Sequence, residues 1–147
     1  MQKMNAIRIL NDCRSAPEEI RRTEQRIWQR QRFVAGRRTD RPGNAERLRE
    51  EIRQLQEELT GMQQRSAVLI AAACALLDHL PGTESEVLYG YYIEGQSVAG
   101  LARKLSYSEG YVRKLRRQGE DQLRRIPAAE VARQLPAWYV REAEGDG

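Results

Sequence analysis

From Ala45 to Leu80 the chain repeats an apolar step of three and four residues without a break: Ala45, Leu48, Ile52, Leu55, Leu59, Met62, Ser66, Leu69, Ala73, Leu76 and Leu80. An alternating three-four step keeps one row of side chains on one side of an α-helix, the a/d seam of a coiled coil. Over this stretch it predicts one continuous helix about 54 Å long, at about 1.5 Å per residue. Such a seam does not stay in water alone. It pairs with the preceding helix, with a second copy of the chain, or with both. Ile20, Ile27 and Val34, seven apart with Trp28 beside them, mark that preceding helix. Pro17 suits the first turn of a helix opened after Ser15, which separates it from an earlier helical stretch marked by Met4, Ile7 and Leu10. The segment GRRTDRPGN (36–44) has the composition of a connecting loop. A short connection favours an antiparallel hairpin. Its first arm is then much shorter than its second, which leaves the seam at 66–80 unmatched. That stretch is available to the C-terminal part of the chain or to another copy, so a homodimer or higher oligomer through the coiled coil is expected.

Composition narrows the function classes. With one Phe, two Trp and six Tyr, any compact core is small and the extended part rests on leucine-type contacts. Residues 1–42 carry 11 cations and 5 anions, and residues 83–126 carry 8 and 6, while the segments at 43–82 and 127–147 are net acidic. Two separate basic regions can therefore attract a polyanion. Cys13 and Cys74 have no CxxC partner, which argues against a disulfide framework or a zinc site. The longest apolar run, 67–77, is 11 residues, too short to span a bilayer. No membrane association and a cytoplasmic location are expected. No catalytic residues, metal ligands or cofactors are read from the chain. His79, the lone histidine, suits the C-terminal end of the long helix, and Glu50/Glu51 and Glu57/Glu58 read as solvated partners of neighbouring arginines.

Beyond the PGTESE break, the chain predicts short helices. Thr83 and Glu86 have capping-box spacing and open a helix over 84–94. Gly95 ends it, and Ser97 caps a helix over 98–104. LSYS forms the next turn, and Ser108 caps a last helix reaching about Arg125, stopped by Pro127. Residues 128–135 suggest one more short helix before a tail, loose at its end, in which Trp138 and Tyr139 dock onto the domain. Leu88 and Tyr92 are expected in the small core and Tyr91 outside it.

Two helices joined by about four residues suggest a helix-turn-helix. Leu101, Ala102 and Leu105 face inward from the first and Val112 and Leu115 from the second, with Ala102 small enough for the helices to cross closely and Tyr107 bridging the turn. The residues left outside are strongly cationic. By position, Glu109, Arg113 and Lys114 are the base-reading candidates: Arg113 can grip guanine and Glu109 can accept from cytosine. Arg103, Lys104, Arg116 and Arg117 are phosphate candidates, and so is Ser108 at the helix N-terminus.

Residues 84–126 resemble region 4 of sigma-70-type RNA polymerase sigma factors, through EVLxxxYIEGxS followed without a gap by xxxLAxxLxYSxxxVxKLxRxxxxxL. Periodicity without strand signal predicts an all-α fold with an N-terminal antiparallel coiled-coil hairpin (1–80, loop near 36–44) and a tail (127–147); the resemblance implies that 83–126 form a small sigma-region-4-like helix-turn-helix domain. It also implies double-stranded DNA as partner and base contacts at Glu109, Gly110, Arg113 and Lys114. Gly100 departs from the acidic residue many members carry there, and Gly110 removes a base-reading side chain. The layout is similar to small phage- and prophage-encoded transcriptional regulators, with the coiled coil mediating self-association or contact with RNA polymerase. Two other readings stay open: a small-terminase-like DNA-packaging subunit, and a sigma-region-4-like module that binds proteins only.

Overall fold

The computed structural model describes residues 5–36 and 43–145, the side chains of 143 and 144 excepted. Met4 and residues 37–42 of the expected loop lie outside the described residues. The described chain is helical, with no strand among the described residues: α1 (Ala6–Ala35), α2 (Asn44–Leu77), α3 (Gly82–Leu88) widening into a π turn (Tyr89–Ile93), α4 (Val98–Leu105), α5 (Glu109–Arg124), α6 (Ala128–Arg133) and α7 (Ala137–Gly145). It divides into two compact units, Ser15–Ser66 and the pair Met1–Arg14 with Ala67–Gly147. Both long helices contribute to both units.

In the unit Ser15–Ser66, α1 and α2 pack together. Thr23 Oγ1 donates to Met62 Sδ at 3.5 Å, and Arg30 Nε lies 3.2 Å from Glu51 Oε2. The partner numbers fall as the α1 numbers rise, so the pair is antiparallel. The expected break at Pro17 does not occur: α1 is one helix of 30 residues, close to the 34 of α2. An interior proline costs roughly 3 kcal/mol. It is offset because a seam runs through it. Ala6, Ile9, Cys13, Ala16, Ile20, Thr23, Ile27, Arg30 and Val34 keep the three-four step and are all buried or half-buried, while Pro17 points outward. Full burial of Ile9 and Leu10 alone stabilises by about 1.5–3 kcal/mol each. The first arm is thus not short, and its continuity was hidden by Cys13, Ala16, Thr23 and Arg30 standing at seam positions.

In the other unit, the seam at 66–80 is covered from within the chain. Leu69, Ala72, Ala73, Leu76 and Leu77 pack with Ala6, Ile9, Leu10 and Cys13 of α1, with Leu88, Tyr92 and Leu123, and with Val131, Leu135 and Tyr139 near the C-terminus. The tail docks through α7, which runs to Gly145: Tyr139 is buried, its hydroxyl donating to Asp12 Oδ2 at 3.3 Å, while 146–147, the end expected to be loose, lie outside the described residues. Trp138 stays partly exposed. The capping box at Thr83 and Glu86 is also absent. α3 begins at Gly82 after Pro81 with no side-chain cap, because proline fixes the entry geometry by itself.

Candidate nucleic-acid interface

A second apolar cluster holds the two helices that follow. Val87, Leu101, Ala102, Val112 and Leu115 are buried together, with Val98, Leu105, Tyr107 and Tyr91 packed against them. The five residues read as the helix-turn-helix core thus occupy one cluster, Leu105 at its edge. Ser97 Oγ accepts from Gly100 N at 3.0 Å and Ser108 Oγ from Tyr111 N at 3.1 Å, so both serines cap as their spacing predicts. Gly95 ends the preceding helix at φ +70°. The turn is closed by Ser106, a non-glycine residue at φ 60°, and by Tyr107 N donating to Ala102 O at 2.9 Å.

Two glycines set how closely the helices approach. A Cβ at Gly90 would stand 2.4 Å from Leu101 Cδ2, and one at Gly119 would stand 2.8 Å from Leu88 Cδ1. Both lie below any normal carbon contact. Gly90 opens the π turn to Leu101 of α4, and Gly119 lets α5 lie against α3. Glu94 N reaches back to Tyr89 O at 3.1 Å and so completes the widened turn.

The remaining side of α5 faces outward. Glu109, Arg113 and Arg117 follow one another at steps of four, with Gly110 and Lys114 beside them, and all five are exposed. Arg113 lies 3.9 Å from Glu109, an exposed i,i+4 pair. From α4, Arg103 and Lys104 are exposed, and Lys104 Nζ lies 3.3 Å from Glu94 Oε1. No salt bridge involves Arg103, Lys114 or Arg117 among the described residues. Exposed ion pairs contribute about 0–1 kcal/mol, so Arg113 and Lys104 exchange theirs for a polyanion at little cost.

Arg116 was expected among the phosphate-binding cations and is placed otherwise. It stands one turn from both Val112 and Glu120, on the buried row of α5. Its Nε lies 2.7 Å from Glu120 Oε1, which also accepts from the Tyr92 hydroxyl at 2.7 Å. Its guanidinium carbon is 3.9 Å from the Tyr91 ring centroid, and that of Arg14 is 3.8 Å away. Two guanidiniums this close to one ring must occupy opposite faces. Tyr91 is therefore half-buried in a cation sandwich rather than exposed. Arg14 also donates to the carbonyl of Tyr91 and, at 3.4 Å, to that of Gln96. Burial, and then the Glu120 carboxylate, push the Tyr92 hydroxyl up to about 12. Burial lowers the affinity of Arg116 for its proton, but Glu120 and the two tyrosines outweigh it and raise its pKa. Arg14, Tyr91 and Glu120 were not legible as a group: Glu120 stands at i+4 from Arg116, but no spacing connects Arg14 to a turn 77 residues away.

Two capped helices packed over one apolar cluster, with one cationic face turned out, define a helix-turn-helix of the kind that docks on duplex DNA. Residues 76–125 match the family model for Sigma-70, region 4. That interval runs from the end of α2 through α5, so the chain carries a sigma-70 region 4-like helix-turn-helix, a DNA-binding module. Neither curated proteins nor solved structures match the chain.

Proposed function

We propose that this protein is a sequence-specific transcriptional regulator of the phage and prophage type that reads double-stranded DNA through the major groove. The observation that carries this reading is the outward row Glu109, Arg113 and Arg117 with Lys114, held over a buried Val112 and Leu115. Glu109, Arg113 and Lys114 meet base edges. Arg103, Lys104, Arg117 and the capped N-terminus at Ser108 meet phosphates. Arg116 instead holds α5 to the turn before α4. The protein works in the cytoplasm without cofactor or catalysis, and contact with RNA polymerase accompanies DNA binding, as region 4 resemblance suggests. Self-association does not form part of the proposal, because the seam positions 69–77 that argued for it are covered within the chain.

Selection of bound duplexes from a random pool, at two salt concentrations, tests this. One enriched sequence class persisting at higher salt is expected. Recovery of random duplexes only, with all affinity lost as salt rises, leaves a purely electrostatic binder and sinks the reading.

A further inference from the structure

The last turns of α1 carry a surface that the helix-turn-helix does not use. Trp28, Gln29, Arg32, Phe33 and Gly36 line one shallow groove on the side of α1 away from the seam row Thr23, Ile27, Arg30 and Val34. Trp28 is 56% exposed and Phe33 46%, in a chain with only nine Phe, Trp and Tyr residues. The Arg32 guanidinium lies 4.8 Å from the centre of the Trp28 ring. Residues 25–36 contain three arginines and no acidic residue; Arg30 pairs with Glu51 on the seam side, which leaves Arg26 and Arg32 for this surface. The charge thus calls for an anion, and the rings call for a flat apolar surface next to it. Gln29 adds an amide able to donate and accept at the edge of that surface.

A nucleobase joined to a phosphate has all three features. Duplex DNA does not fit as well: its bases are stacked on both faces, so arginines alone would meet its phosphates and the open face of Trp28 would meet no base. Unpaired bases leave a face open, and base stacking on aromatic rings beside arginines is how single strands are held without strong sequence preference. We propose that this groove binds single-stranded nucleic acid, with an unpaired base on Trp28 and the adjoining phosphate on Arg32. The inference rests on the hairpin and does not depend on duplex reading by α5.

The test uses the full chain with Trp138→Phe, so that Trp28 is the only indole. Its emission is followed on titration with oligothymidylate, oligouridylate, a random duplex and polyglutamate, each at two salt concentrations. Both single strands are expected to quench Trp28, and the stronger of them identifies DNA or RNA as the source. Trp28→Ala, with affinity followed by strand anisotropy, should weaken single-strand binding by about 5- to 150-fold, the equivalent of one lost base stack. Trp28→Phe should keep most of it, and Arg32→Ala should weaken it and flatten its salt dependence. If the alanine variant loses helicity, the phenylalanine and Arg32 variants carry the decision. The proposal is overturned if single strands leave the emission unchanged, if duplex or polyglutamate quenches equally, or if the Trp28 and Arg32 variants bind like the parent. Arg113→Ala, which addresses the duplex-reading helix, should leave single-strand binding as it is, so the two readings fail separately.

Discussion

Arg113, Arg116 and Arg117 are three arginines within five residues of one helix, and they have three different surroundings. Arg113 faces outward beside Glu109, Arg117 faces outward with no salt bridge among the described residues, and Arg116 lies against Tyr91 and Glu120. Arg113→Ala should cost about 1–3 kcal/mol on the selected duplex and relax one base position. Arg117→Ala should weaken every duplex alike and reduce the salt slope by about one phosphate. Competition of selected against random duplex separates the two; equal losses on both would remove the base-reading role of Arg113. Arg116→Ala acts without DNA. It leaves a buried carboxylate with one strong partner fewer, at a cost of about 1–3 kcal/mol in folding stability, read by urea denaturation. An unchanged midpoint with a flatter salt dependence would return Arg116 to the phosphates. The outward positions were legible from spacing, since five apolar residues define the inner side. The inward turn of Arg116 was not, because a Val–Arg–Glu row at steps of four reads equally well as solvated.

Among the elements, the joints are acid–phenol contacts. Tyr92 of the π turn donates to Glu120 of α5, and Tyr139 of α7 donates to Asp12 of α1. Burial first and the facing carboxylate next hold both phenols at about 12, against about 10 for a free one. The folded state therefore favours their protonated forms. The stability they contribute is fully present below about pH 10 and is lost as pH rises from there through about 12. An alkaline titration followed by helicity and phenolate absorbance should show late-ionising tyrosines appearing together with loss of helix. Ionisation of every tyrosine near pH 10 with helicity intact would contradict these joints. Caps at Ser97 and Ser108 and the stop at Gly95 were legible because each is a local backbone event. The capping box at Thr83 failed for the same local reason, since Pro81 already fixes the entry to α3.

At the scale of the whole molecule, the C-terminal module depends on the N-terminal residues. Ala6, Ile9, Leu10 and Cys13 share the core with Leu69–Leu77 side chains and with Leu123, Val131 and Tyr139. A fragment of residues 67–147 should therefore lose cooperative melting, and adding a peptide of residues 1–20 should restore part of it. A native-like, cooperative melt of the fragment alone would show that this core is dispensable. Because the same residues cover the seam at 69–77, sedimentation of the full chain without DNA should show a concentration-independent monomer; a dimer would require a surface other than this one. The sequence alone determined the helical class, the long seam, the two serine caps and the helix-turn-helix core, because each depends on periodicity or on contacts within a few residues. Only the tertiary structure decided that α1 passes through Pro17 and that Arg14 and Arg116 sandwich Tyr91. Those outcomes depend on residues far apart in the chain, whose burial outweighs what each local segment prefers.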